Sequence, residues 1–344
     1  MQTLSLTRPD DWHVHLRDQD VLMHTVSATA KHFARALVMP NLQPALTSVA
    51  AVLDYQQKIL DQLDTNATFH PYMTIYLNTT VTTDDLALAS QCPDILGAKL
   101  YPAGATTNSN EGAEDITKLY PLFELMQSYD LALQVHGEVT SGDIFEREAR
   151  FIETQLAPLI ANFPKLRIVL EHISTRAAVE FVTEAPEHIV ATVTPQHLMF
   201  HRNHLLAGGI RPHYYCLPIL KHHRDQQAIR QAVRSGNPKF FAGTDSAPHA
   251  KEQKESACGC AGVFSAPYAL SFYTQVFEEL DALPKLNDFL SRFGAEFYQL
   301  PRSTDTIILH RQSQTIASHW PLGDKEVIPL AAGFVLNWSV YEEN

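Results

Sequence analysis

The sequence predicts a (β/α)8 TIM-type barrel, an α/β fold class, with a small C-terminal β extension. Short apolar segments alternate with longer amphipathic ones along the 344 residues, as strands alternate with helices. Eight short segments can be counted, which matches the strands of a closed barrel. Polar and ionisable residues end nearly every one of them, as expected where strand ends form an active site. A doubly wound open sheet would give the same alternation.

The individual elements follow from apolar spacing and length. Strands are predicted at residues 11–15, 35–39, 70–76, 95–100, 131–135, 166–170, 188–193 and 239–243. Helices are predicted between them, for example at 46–64, 114–128, 143–162, 175–183, 224–234 and 266–280. After about residue 302 the pattern becomes short alternating runs, typical of β structure. We therefore expect one domain over residues 1–344, with 302–344 as a C-terminal extension packed on the barrel.

Composition and charge exclude several classes of partner. The formal net charge is −12, from 26 Lys+Arg against 38 Asp+Glu. Nucleic acid and anionic membrane surfaces both need a basic face, so neither is expected as a partner. We see no signal peptide and no apolar stretch of roughly 20 residues that could span a membrane. We expect a cytoplasmic protein that acts on a small molecule, with an anionic substrate still allowed by local charges.

The cysteines predict neither disulfides nor a zinc ribbon. Cys92 and Cys216 are isolated, whereas Cys258 and Cys260 form one C-x-C pair. A zinc ribbon needs two such pairs, so reduced cytosolic thiols are the better interpretation. A structural metal at the single pair is the alternative.

Two histidines on the first predicted strand suggest a metal site. His13 and His15 are two residues apart, so both side chains point to the same face of the strand. Arg17, two residues further on, would point to that face as well. Neutral imidazoles held in this way suit zinc. A pair of ordinary exposed histidines is the alternative, because an H-x-H sequence is common.

Further ionisable residues end other strands. His136 follows the fifth predicted strand and His172 follows the sixth. Asp245 follows the eighth strand, where a carboxylate can bind metal and move protons, although it could also cap a helix. Lys99 interrupts an apolar strand, where burying a lone ammonium is costly. The side chain could reach solvent at the barrel mouth, or become a bridging carbamate by adding carbon dioxide.

Two loops are candidates for substrate contacts. Asn41 follows the second predicted strand, and residues 102–112 are rich in Gly, Thr, Asn and Ser. Such a loop could act as a mobile lid, and an ordinary long βα loop is the alternative.

Several motifs together resemble the dihydroorotase family, in its shorter, bacterial-type branch of the amidohydrolase superfamily. The match runs in order from residue 11 to about 270, and the tail after 302 is less distinctive. The motifs are DWHVHLR at 11–17, MPN at 39–41, GAKLYP at 97–102, HGE at 136–138, EHIST at 171–175, GTDSAPH at 243–249 and KESACGCAG at 254–262.

The resemblance implies a role for each of these sites. One zinc ion would be bound by His13, His15 and Asp245, and a second by His136 and His172, with carboxylated Lys99 bridging both. The resemblance also implies a set of substrate contacts, made by Arg17, Asn41 and His249 to the carboxylate, by His136, and by backbone groups near Leu217 and Ala261 to the ring amide. Thr106 and Thr107 would lie on the lid.

The resemblance also implies the reaction, which is the reversible cyclisation of N-carbamoyl-L-aspartate to L-dihydroorotate in pyrimidine biosynthesis. A hydroxide shared by two zinc ions would attack the ring carbonyl, because metal lowers the pKa of bound water to about 7. Asp245 would carry the proton to the ring nitrogen. We expect a homodimer, although the sequence itself does not give the oligomeric state.

Two rival functions stay open at the level of sequence. A hydantoinase or dihydropyrimidinase would use the same metal ligands, but its substrates lack the ring carboxylate that Arg17 and His249 would hold. A catalytically dead barrel, kept for a structural role, would be expected to lack some of the ligands.

Overall fold

A parallel barrel of eight strands forms the centre of the computed structural model, which describes residues 2–65 and 67–341. A short strand, β1 (Thr3–Thr7), precedes the barrel. The barrel strands are β2 (Asp10–Val14), β3 (Arg35–Val38), β4 (His70–Leu77), β5 (Ile95–Leu100), β6 (Ala132–Val135), β7 (Ile168–Leu170), β8 (Ile189–Val193) and β9 (Phe240–Ala242). Each pairs in parallel with the next along the chain. All eight predicted strands are confirmed, with bounds that differ by at most two residues.

Contacts beyond the end of β9 close the barrel onto β2. Val14 forms a parallel bridge with Ser246, and the His15 N–H donates to the Ser246 carbonyl over 3.0 Å. The buried carboxylate of Asp11 accepts hydrogen bonds from the Thr244 N–H at 2.8 Å and the Thr244 hydroxyl at 2.6 Å. The fold class is therefore a barrel, and the open-sheet alternative is wrong.

Helices follow the strands and cover the barrel. They are α1 (Leu22–Ala30), α2 (Val49–Leu60), α3 (Thr83–Ser90), α4 (Tyr120–Tyr129), α5 (Arg147–Phe151), α6 (Ala157–Asn162), α7 (Arg176–Glu184), α8 (Pro195–Met199), α9 (Arg202–Leu206), α10 (His223–Ser235), α11 (Lys251–Lys254), α12 (Ala269–Glu279), α13 (Leu283–Ser291) and α14 (Phe293–Phe297). No helix in this described part of the chain is long and apolar enough to cross a membrane.

Local structure explains two of the differences between the predicted and observed helix bounds. The helix predicted at 46–64 begins only at Val49, because Ser48 is extended and its hydroxyl caps the helix by accepting from the Ala51 N–H. The helix predicted at 143–162 is interrupted by a π-helical turn at Ile152–Leu156, between α5 and α6. Apolar periodicity predicts helix at both places but does not resolve these interruptions.

The C-terminal segment forms short antiparallel strands. These are β10 (Thr306–His310), β11 (Gln314–Thr315), β12 (Trp320–Leu322), β13 (Lys325–Val327), β14 (Val335–Leu336) and β15 (Ser339–Val340). The sequence did not predict β1, which pairs with β10, while β15 lies on the other side of β10. Leu6, Leu309 and Trp338 share one apolar core with the barrel strands and helices. A single domain stays a prediction, which this shared core supports.

Candidate active site

His13, His15 and Asp245 form a buried cluster at the C-terminal end of the barrel. His13 lies in β2, His15 directly after it, and Asp245 after β9. The Nε2 atoms of the two histidines are 3.3 Å apart, and Asp245 Oδ1 lies 3.4 Å from His13 Nε2 and 3.1 Å from His15 Nε2. One atom from each residue lies within 4.8 Å of the others, so the three side chains fit a metal ion.

A second layer of polar groups orients this cluster. His13 Nδ1 contacts the carboxylate of Glu171, which is fully buried. The Thr192 hydroxyl donates to Glu171 Oε2 over 3.2 Å and accepts from the His172 N–H over 2.7 Å. A carboxylate on Nδ1 fixes the ring orientation and leaves Nε2 for the metal, as second-layer carboxylates commonly do.

His136 and His172 extend the cluster across the barrel. Their ring centroids are 4.8 Å apart, and the His172 ring is 4.9 Å from the ring of His13. His136 Nε2 lies 3.2 Å from Glu138 Oε2, and Glu138 in turn pairs with buried Lys221 at 3.3 Å. Nδ1 is therefore the nitrogen of His136 that remains for a metal. The structure brings together all four predicted histidines.

Lys99 projects from β5 and is 0% exposed. Its Nζ has no hydrogen-bond partner among the described residues, and it lies 5.2 Å from the centroid of the Tyr101 ring. Burial lowers the pKa of the Lys99 amine to about 8. The alternative in which Lys99 reaches solvent is wrong, and a neutral amine is the form that can add carbon dioxide.

Burial favours the neutral form of three of the four imidazoles, whereas the nearby carboxylate of Glu171 raises the pKa of the fourth, His13, against the effect of burial. Burial lowers the pKa of His15 to about 4 and holds the pKa of His172 well below its usual value. Burial also lowers the pKa of His136. Burial alone would raise the pKa of Asp245, but hydrogen bonds from His13 and His15 keep it well below the usual value. Neutral imidazoles beside a carboxylate are the protonation states that bind a divalent metal.

The cluster of His13, His15 and Asp245 opens into a small pocket. Its lining includes most of the predicted substrate contacts. The lining residues are His15, Arg17, Asn41, Thr106, Thr107, Leu217, Asp245, Ala247, Ala261 and Gly262. Two predicted contacts, His136 and His249, are not part of this lining. His249 lies at the edge, where its Nε2 is 3.1 Å from an Arg17 guanidinium nitrogen and 3.0 Å from the Ala261 carbonyl.

Arg17 lines the pocket, but not because side chains alternate along a strand, as the sequence suggested. Strand β2 ends at Val14, and Arg17 adopts a left-handed backbone conformation with φ of 63°. The Tyr55 hydroxyl donates to the Arg17 carbonyl, and the Arg17 Nε–H donates to the Pro248 carbonyl over 3.0 Å. The predicted position is correct, whereas the parity argument for Arg17 is wrong.

The loop at 102–112 contacts two walls of the pocket. The Thr107 hydroxyl donates to the Ala261 carbonyl over 3.1 Å, and the Asn41 side-chain amide donates to the Thr107 carbonyl over 3.0 Å. The Asn108 amide donates back to the Asn41 carbonyl over 3.1 Å. The loop therefore covers the pocket in this conformation.

Sequence reasoning assigned no role to several buried charged residues around the site. Glu171, Glu138, Lys221 and Lys254 belong to this group. The first two stand beside assigned histidines in the EHIST and HGE motifs, so a carboxylate next to a strand-end histidine was an available signal. The two lysines do not end a predicted strand, and Lys254 was marked only as the first residue of the KESACGCAG motif.

Comparison with known proteins places the chain in a family. Residues 10–303 match the model of the Amidohydrolase family. A dihydroorotase of Acaryochloris marina is 51% identical over 99% of this chain and 100% of its own. The chain is a member of the dihydroorotase family. The family is one of enzymes, and the match spans the whole length of the relative.

Solved dihydroorotase structures share the fold as well. The Campylobacter jejuni crystal structure has a TM-score of 0.91 and 33% identity, covering 99% of this chain and 98% of that one. The Saccharomyces cerevisiae structure, in complex with 5-fluoroorotic acid, has a TM-score of 0.89 and 34% identity, with 99% of each chain covered. The resemblance identified from the motifs is therefore confirmed.

Proposed function

We propose that the protein is a dihydroorotase that interconverts N-carbamoyl-L-aspartate and L-dihydroorotate in pyrimidine biosynthesis. The observation that carries this proposal is the meeting of two groups in one pocket. A metal-binding cluster of His13, His15 and Asp245 forms its floor, and Arg17 stands on its wall. The first group suits amide hydrolysis, and the second supplies the cation that a ring carboxylate needs.

We assign two zinc ions to this floor. His13, His15 and Asp245 would hold the first, His136 and His172 the second, and carboxylated Lys99 would bridge both. The unpartnered, buried Nζ of Lys99 supports the bridge, since an ordinary ammonium at this depth would need a partner. When bound, the metal ions would polarise the scissile carbonyl and lower the pKa of the attacking water.

Asp245 is the proton carrier in this scheme. Its carboxylate would accept a proton from the attacking water and deliver it to the departing ring nitrogen, and ring closure would reverse the transfer. The Asp245 N–H donates to the His13 carbonyl over 2.8 Å, and the backbone of Asp245 is left-handed with φ of 47°. Both features hold the carboxylate over the histidines, where it also faces the pocket.

The substrate carboxylate would lie among Arg17, Asn41 and His249. Arg17 offers a planar fork of donors, which matches a carboxylate with two parallel hydrogen bonds. Burial is the main cause that lowers the pKa of His249 to about 2, and the positive charges of Arg17 and Lys254 lower it further. His249 would therefore contact the carboxylate as a neutral side chain. Backbone groups of Leu217 and Ala261, which also line the pocket, would contact the ring amide.

A turnover assay with dihydroorotate, followed by ultraviolet absorbance, tests the proposed function directly. We expect rapid ring opening, slow or absent hydrolysis of dihydrouracil, and two divalent ions per chain by metal analysis. Efficient hydrolysis of dihydrouracil by the parent protein would favour the dihydropyrimidinase alternative. Full metal content without turnover of either compound would favour a catalytically dead barrel.

Substrate choice is expected to depend on Arg17. Arg17→Met should lower kcat/KM for dihydroorotate at least tenfold, because a charge-assisted hydrogen bond contributes about 1.5–3 kcal/mol. Any trace activity on dihydrouracil should change much less, since that ring has no carboxylate. Both rates and the metal content should be measured on the same preparation. Equal loss on the two substrates would mean that Arg17 supports the metals or the fold instead.

The covering loop is expected to act as a lid. Replacing Thr106 and Thr107 together by glycine removes the hydroxyl that reaches the Ala261 carbonyl, and it loosens the loop. Turnover of dihydroorotate should fall while the metal content stays unchanged, because neither residue contacts the metal cluster. Thr117→Gly, on the exposed segment after the loop, is a suitable control. Unchanged kinetic constants in the double variant would mean that the loop only connects two elements and does not act as a lid.

We also propose a cytoplasmic homodimer. Sedimentation analysis should then give twice the chain mass of 38.5 kDa.

A further inference from the structure

Lys254 is a buried cation behind the substrate pocket, in the motif at residues 254–262. It ends α11 and is 3% exposed. Its Nζ donates to three backbone carbonyls, those of Tyr215 at 2.7 Å, Cys260 at 2.8 Å and Gly262 at 2.7 Å. No carboxylate in the described part of the chain forms an ion pair with it. The ammonium therefore uses all three of its donors on two backbone segments.

The three carbonyls fix the orientation of the peptide groups around Ala261. The C=O and N–H of a trans peptide point in opposite directions. Because the Cys260 carbonyl points to Lys254, the Ala261 N–H points away from it, toward the pocket that Ala261 lines. The Gly262 N–H donates to the Tyr215 carbonyl over 3.0 Å, on the side away from the pocket. The Ala261 carbonyl belongs to the same peptide group, so it points toward the pocket.

Two contacts on the pocket side agree with this orientation. The Ala261 carbonyl accepts from the Thr107 hydroxyl over 3.1 Å and lies 3.0 Å from His249 Nε2. Ala261 thus presents both a donor and an acceptor of its main chain to the pocket. This pair is complementary to the N–H and C=O of a cyclic amide.

The same ammonium reaches the second backbone segment of the pocket. Tyr215 lies two residues before Leu217, and its carbonyl accepts from both Lys254 and Gly262. One cation therefore joins the two segments that carry Leu217 and Ala261. A charge-assisted bond to the Cys260 carbonyl also polarises that peptide group, which makes the Ala261 N–H a stronger donor.

We propose that Lys254 is a positioning residue for substrate recognition, which holds Ala261 and Leu217 so that their backbone groups meet the ring amide. The inference rests on the proposed function, since it names what orients the ring within that pocket. Lys254 touches neither the substrate site nor the metal cluster itself.

The chain contains a matched control. Lys239 also donates to three backbone carbonyls, those of Val182, Thr183 and Ala185. It directly precedes β9, at the end of the barrel opposite the pocket. Lys239→Met therefore removes a similar three-carbonyl contact without affecting the pocket. Lys254→Met keeps the length of the side chain while removing its charge and donors.

The experiment compares parent, Lys254→Met and Lys239→Met, each brought to equal metal content. KM for dihydroorotate and the Kd of 5-fluoroorotate by calorimetry should both rise about tenfold or more in Lys254→Met, as expected for lost charge-assisted bonds. Its kcat should change far less, and Lys239→Met should resemble the parent in all three values. If Lys254→Met does not fold, Lys254→Gln, which keeps two donors, takes its place. KM and Kd should rise in that variant too, but by a smaller factor.

Three results would overturn the proposal. They are KM and Kd within twofold of the parent, an equal rise of Kd in the Lys239 variant, or a loss of kcat with unchanged KM. A parent protein that fails to turn over dihydroorotate would instead contradict the proposed function. Binding of 5-fluoroorotate by that parent would still allow the Kd comparison to be made.

Discussion

Replacing Lys99 is expected to remove nearly all activity together with most of one metal ion. Lys99→Ala loses the group that would bridge the two metals, and Lys99→Met loses the same nitrogen while keeping the methylene stem. Because Nζ has no hydrogen-bond partner in the described structure, Lys99→Met should lose little stability. Turnover, metal content and thermal unfolding should be measured on both variants.

Chemical rescue separates a bridging role from a structural one. Short carboxylic acids supply two oxygens, as a carbamate would, so they should partly restore metal binding and turnover to Lys99→Ala. The same acids should leave the Lys239→Met control unaffected. An active Lys99→Met variant with full metal content would show that the lysine only fills space in the barrel.

Asp245→Asn is expected to lower turnover by about 10²–10⁴, the usual contribution of general acid–base catalysis. The amide keeps the size of the carboxylate and the backbone bond from Asp245 N–H to the His13 carbonyl. It cannot accept and release a proton in the range where the carboxylate does. The metal content must be measured in parallel, because Asp245 also lies within ligand distance of His13 and His15.

Asp11 offers a matched control for that experiment. Its carboxylate is also buried at the junction of β2 and β9, but it accepts from Thr244 and from the His13 N–H, at 3.2 Å, rather than facing the pocket. Asp11→Asn should reduce stability and leave turnover per folded molecule close to that of the parent. Turnover of Asp245→Asn within a few-fold of the parent, at full metal content, would remove Asp245 from the proton transfer.

Much of the barrel was predictable because its strands are buried on both sides. A strand such as Ile189–Val193, with every residue buried, is a run of apolar residues interrupted only by Thr192, and this run is visible in the sequence. Strand β1 was missed because its burial alternates weakly and its partner, β10, is distant in sequence. Pairing between remote segments leaves no local signal.

The site, like the fold, was only partly predictable from the sequence. His136 and His172 were predictable since each ends an apolar strand, and the barrel geometry gathers such ends at one mouth. Arg17 was placed correctly, but the left-handed backbone that directs it is not visible in the sequence. Lys254 begins the KESACGCAG motif but was assigned no role, because its partners are backbone carbonyls, which every residue type has.

The pairing of β1 with β10 also bears on how the chain matures during synthesis. Thr3 to Thr7 leave the ribosome long before the strand they join, Thr306–His310. Domains form as units during translation, so β1 stays without its partner until β10 has been made. Contacts this remote in sequence also slow folding. Until β10 is made, the nascent β1 is an unpaired β edge that chaperones or other chains could occupy.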